Sequence, residues 1–90
     1  MEYLPIGSTV TLKRAEDMLF VIIGLYVENP KGEHRDYIAV RHPMGAVDSM
    51  HFFFFNQGDI ENVVQKGVAD EMHEKYVGLL NLTADILEKE

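Results

Sequence analysis

The spacing of apolar residues changes once along this chain, at Asp70, and that change limits the fold more than any other feature. Before it, apolar and polar residues alternate or run together in short stretches broken by turn residues, the signature of strands. After it, Met72, Tyr76, Leu79, Leu80, Thr83, Ile86 and Leu87 fall at three-and-four spacing on one face of a helix of about five turns. Asp70 is the expected N-cap, because its carboxylate can accept an orphan amide of the first turn and suits the positive end of the dipole. Val77 and Leu82 lie off the main stripe and widen it. Docking of this helix on its own sheet is expected through the first turns, around Met72, Tyr76 and Leu79, with Ile86 and Leu87 reaching beyond the sheet.

Five strands are expected ahead of the helix. Ser8 to Lys13 alternates, Leu19 to Val27 is apolar on both faces, and Asp36 to His42, Met50 to Phe55 and Ile60 to Lys66 follow, with turns at Lys13–Asp17, Asn29–Gly32, Pro43–Ser49 and Asn56–Asp59. The fold class is therefore α+β: a five-stranded, bent antiparallel sheet with one C-terminal amphipathic helix over its open face or edge. An SH3-like small barrel is one way to close such a meander. Ninety residues make one domain, with a strand-rich part over 1–68 and the helix over 69–90.

Composition removes several functions. The net charge is -7, and Lys13, Arg14, Lys31, Arg35, Arg41 and Lys66 are scattered, so neither nucleic acid nor an anionic membrane finds a cationic surface. No cysteine is present, which excludes disulfides and thiolate-held zinc. The N-terminus has neither the basic nor the apolar region of a signal peptide, and the most apolar run, Leu19 to Val27, is too short to cross a bilayer; a cytoplasmic protein is expected.

The remaining constellations are sparse. His42 and His51 would face each other at the loop end of a hairpin of the third and fourth expected strands, in a register that also pairs Val40 with Phe53 and Ile38 with Phe55. Asp48 would add a third donor, and a small ligand- or metal-binding regulatory domain is the alternative reading. A closed zinc site needs four ligands, and strand-end polar residues explain the histidines as well. Ser8 and Ser49 lack a nucleophile elbow, no glycine-rich loop opens a helix, and no catalytic residue or cofactor is assigned. Phe52-Phe53-Phe54-Phe55 places two rings on each face of a strand. Phe53 and Phe55 are expected to share the core face with Ile38 and Val40. Phe52 and Phe54, with Tyr37 beside them and Ile86 and Leu87 on the helix, form the candidate protein interface.

Several phrases carry a resemblance. Leu4-Pro5-Ile6-Gly7-Ser8-Thr9-Val10-Thr11-Leu12-Lys13, then Ile22-Ile23-Gly24, Asp36-Tyr37, Pro43-Met44-Gly45, Phe55-Asn56-Gln57-Gly58-Asp59-Ile60 with Val63, and finally Gly67 and Asp70-Glu71, resemble domain-of-unknown-function family 4176, small proteins of Gram-positive bacteria. The resemblance implies a non-catalytic accessory factor, a chaperone or targeting factor that binds an LXG-type toxin of a type VII secretion system or its helical companion. It brings no catalytic residues. Export in complex with the partner is a further expectation, since the chain lacks a Trp-x-Gly turn and a Tyr-x-x-x-Asp/Glu signal of its own; a homodimer is a separate one.

Overall fold

The computed structural model describes residues 1–88. Five antiparallel strands and one helix follow in the order β1 (Thr9–Leu12), β2 (Ala15–Glu28), β3 (His34–Arg41), β4 (Phe53–Phe55), β5 (Ile60–Gln65) and α1 (Glu71–Glu88), with a 3-10 turn at Gln57–Asp59. The sheet runs β4-β3-β2-β1-β5, so the α+β class read from the sequence is the one observed.

The sheet must curl. Its two outermost strands, β4 and β5, are consecutive in sequence and joined only by residues 56–59. In a flat sheet four inter-strand spacings would hold them roughly 19 Å apart. Yet three of those four residues form a 3-10 turn, which rises only about 2 Å per residue. The β1–β2 turn bridges the same seam: Lys13 N–H donates to the Asp59 carbonyl at 3.0 Å, and an Arg14 guanidinium nitrogen reaches the Phe54 carbonyl at 3.5 Å. The long β2, fourteen residues, takes part in both halves of the curl and is bulged between Ile22 and Gly24. Gly24 is required there, because a Cβ on it would stand 2.6 Å from the Ile38 Cγ2.

The inner face holds the core: Val10, Leu12, Phe20, Ile22, Leu25, Tyr37, Ala39 and Phe55 are all buried. Phe20 meets Phe53 and Phe55 edge-on at 5.2 and 6.5 Å between ring centres, and Phe55 lies 5.6 Å from Tyr37. The β3–β4 register is one residue away from the expected one. Phe55 pairs with Tyr37, Phe54 with Ile38 and Phe53 with Ala39, so Phe53 and Phe55 share their face with Tyr37 and Ala39 while Ile38 and Val40 point outward. The 3-10 turn holds this pairing. Asp36 N–H donates to Asn56 Oδ1 at 3.0 Å, Gln57 N–H donates to Asp36 Oδ2 at 2.8 Å, and the Tyr37 hydroxyl donates to Gln57 Oε1. β4 is also shorter than expected, three residues rather than six, because Met50 to Phe52 belong to the loop.

The helix begins where expected: His73 N–H donates to Asp70 Oδ1 at 2.9 Å and Glu74 N–H to the Asp70 carbonyl at 3.1 Å. Its seating differs. α1 touches the strands only at isolated points and rests on the N-terminal segment instead. Asn81 exchanges hydrogen bonds with the Met1 backbone, and a His73 ring nitrogen lies 3.2 Å from the Tyr3 carbonyl. Tyr3 carries the contact inward, its ring edge-on to Tyr37 at 5.9 Å. Gly67 lets the chain pass against that segment, since a Cβ on it would stand 2.5 Å from the Ile6 carbonyl oxygen.

Candidate functional site

The face of α1 that docks is not the stripe expected to dock. His73, Val77, Leu80, Asn81 and Ala84 turn toward the body of the molecule, and Val77, 8% exposed, is the only buried residue of the helix. Met72 is 75% exposed, Leu79 62% and Ile86 54%, with Tyr76, Leu82 and Leu87 also in solvent. The reason is positional. The aromatic segment around Tyr3 offers a narrow seat, and only the row through Val77 reaches it while His73 and Asn81 meet backbone oxygens on either side. The wide apolar stripe therefore points away, and correcting the expected docking turns it into a surface. Ile86 and Leu87 belong to that surface.

A second apolar surface lies on the outer face of β2, β3 and β4. Val21 pairs with Val40 and Gly24 with Ile38, which in turn pairs with Phe54, so an apolar row crosses three strands on the side away from the core. Phe52, Phe54, Ile38 and Val21 are half-buried, and Ile23, displaced by the bulge, is 40% exposed. Tyr37 does not belong to this interface. It is fully buried on the inner face, its hydroxyl accepting the Leu4 N–H at 2.9 Å and donating to Gln57. Burial lifts its phenol above the ordinary 10.0, with the nearby Asp36 carboxylate adding to the rise and the Leu4 amide opposing it. Tyr3 is raised in the same direction, by burial first and by Asp36 second.

The histidines fall in four separate places. His34 stacks on Tyr26 at 4.6 Å, His42 donates its backbone N–H to Leu19, His73 meets Tyr3, and His51 Nδ1 lies 2.6 Å from Asp48 Oδ1. The hydrogen bond from His51, followed by that from the Met50 amide, holds the Asp48 carboxyl below its usual range. The shifted β3–β4 register, with β4 beginning only at Phe53, removes the pairing of His42 with His51, and among the described residues no three His, Cys, Asp or Glu side chains gather as a metal cluster. One cavity of about 150 Å³ opens between Glu2, Tyr3, Lys66, His73 and Glu74. That is about half the smallest volume typical of a small-molecule site. No helix among the described residues is long and apolar enough to cross a membrane.

Two signals escaped sequence reasoning. The seat for α1 is Tyr3, some seventy positions from His73, and nothing local announces it. Val77 stood off the stripe by spacing alone, although a lone valine flanked by His73 and Asn81, both able to bond a backbone, marks a docking row. Residues 3–76 match the family described as "Domain of unknown function (DUF4176)". No curated protein and no solved structure matches the chain.

Proposed function

This chain belongs to the DUF4176 family, whose function is unknown, and from that premise we propose that it is a non-catalytic, protein-binding accessory factor. The observation that carries the reading is apolar surface in excess of what the fold covers: the exposed α1 stripe above all, with the half-buried Phe52, Phe54 and Ile38 adding to it. A monomer rarely leaves a contiguous apolar patch larger than about 300–600 Å² without using it. Large aliphatic and aromatic side chains of this kind anchor interface centres.

The finer proposal is that the partner is an LXG-type toxin of a type VII secretion system, bound before export by a factor acting as chaperone or targeting subunit. Support for it is the family resemblance together with these surfaces. Affinity purification of the tagged chain from its native host is the test. Recovery of an LXG-type protein, lost on Phe54→Glu, is the expected result; recovery of no LXG-type or WXG-type protein counts against the finer proposal.

A further inference from the structure

The two apolar surfaces differ in one respect that assigns an occupant to the helix. The α1 stripe is symmetric about Leu79: Tyr76 and Leu82 lie three residues to either side, Met72 and Ile86 seven. All five are exposed. We propose that this stripe is the interface with a second copy of the chain, the two α1 helices crossing antiparallel at Leu79. A two-fold axis through Leu79 sets Leu79 against itself, Tyr76 against Leu82 of the second copy and Met72 against Ile86 of the second copy. At these three levels apolar residues meet apolar residues; one step further out Leu87 meets Glu71, whose carboxylate is paired with Lys75.

Charge and area support the second copy as the occupant. The molecule carries a net charge of -7, so most of its surface repels another copy. On the stripe that repulsion is small. Glu74, Asp85 and Glu88 project from the far side of the helix at about 100° per residue, and Glu71, on the rim, is paired with Lys75 at 3.1 Å. Two copies can approach there without setting carboxylate against carboxylate. With side chains of roughly 150–200 Å² each, the exposed parts of Met72, Tyr76, Leu79, Leu82, Ile86 and Leu87 amount to some 600 Å² per chain. With the rim of Lys75 and Thr83 added, that approaches the roughly 800 Å² per partner of a stable interface. An isologous contact of this kind closes on itself and stops at two. The inference rests on the protein-binding reading and sharpens it: the helix is taken by the second copy, and the outer row of Phe52, Phe54 and Ile38 is left for the other partner.

The chain has no cysteine, so single cysteines report the geometry cleanly. Sedimentation of the full chain is expected to give a dimer at micromolar concentration, with the dissociation constant raised at least about tenfold by Leu79→Glu while the circular dichroism of the fold is kept. Under mild oxidation Leu79→Cys is expected to cross-link to itself and Met72→Cys is not. A mixture of Met72→Cys and Ile86→Cys is expected to give the mixed dimer. A monomer throughout the micromolar range overturns the proposal, as does a dimer untouched by Leu79→Glu. Self-cross-linking of Met72→Cys as well as Leu79→Cys overturns the antiparallel arrangement. None of these outcomes depends on the affinity purification: a monomer that still captures a toxin refutes the dimer alone, and a dimer that captures nothing refutes the toxin alone.

Discussion

Along β3, the inward side chains of Tyr37 and Ala39 are closed to solvent and even the outward Val40 is buried, whereas α1, with eighteen residues and a wider apolar stripe, buries Val77 alone. The two segments do not differ in how apolar they are. They differ in how they are held. β3 has a strand on each side, and its inner face shares one core cluster with Val10 and Leu12 of β1 and Phe20, Ile22 and Leu25 of β2. α1 is fixed by its N-cap and by polar contacts to the backbone of Met1 and Tyr3, which orient it without asking its apolar stripe to dock. Burial here follows from backbone closure rather than from hydrophobicity, and apolar surface left over after closure is available for association.

The largest effect that tests this contrast belongs to Phe55, which contacts Tyr37 and Phe20 and is 1% exposed. Phe55→Ala is expected to cost about 3–5 kcal/mol, a large part of a small domain's stability. Phe54→Ala, one residue away on the half-buried outer face, should cost clearly less. Thermal melts of the two variants check it, and equal losses would mean that the outer row is as much core as the inner one.

Tyr37→Phe comes next. It keeps the ring and removes the hydroxyl that joins Leu4 to Gln57, leaving a part-buried amide without its partner, for an expected loss of about 1–2 kcal/mol. The same phenol sets an alkaline limit. Its folded-state pKa, like that of Tyr3, lies above the unfolded 10.0, so the neutral form is favoured by folding. The associated stability is whole below pH 10 and is lost as pH rises through the folded value. Denaturant midpoints measured from pH 9 upward should fall less steeply in Tyr37→Phe than in the parent chain.

Val77→Ala tests the seat of the helix. Loss of two buried methyls should cost about 1–2 kcal/mol and release α1 from Tyr3 before the sheet melts. A helical signal lost below the near-ultraviolet transition would show that release. If both signals moved together by the same amount, α1 would be an integral part of the core.

How much of this was legible depends on range. Strand number, the N-cap at Asp70 and the core role of Phe55 follow from local alternation and capping chemistry, which any nine-residue window contains. The β3–β4 register was missed by one residue because it is set by Asn56 and Gln57 bonding back to Asp36 and Tyr37, a side-chain lock that alternation does not encode. The docking face of α1 was missed for the same reason at longer range. A helical wheel ranks whole faces, and the face of Met72, Tyr76, Leu79 and Ile86 holds more apolar side chains than the one where Val77 stands between His73 and Asn81. The decision was made instead by Tyr3, which a wheel cannot see.

The smallest expected effect is the one that separates the two regions most sharply. Leu79 is 62% exposed and lies mid-helix, and glutamine has nearly the same helix propensity as leucine. Leu79→Gln should therefore change the stability of the chain, measured under conditions where it is monomeric, by no more than about 0.5 kcal/mol. The same substitution in a core strand would cost several times that. Measured by urea midpoint at the lowest concentration that gives a signal, a null result identifies the stripe as surface held back from the fold. At higher concentration the parent chain should gain stability through mass action and Leu79→Gln should not. A loss at low concentration as large as that of Val77→Ala would place Leu79 inside the folded monomer and remove the stripe as an interface.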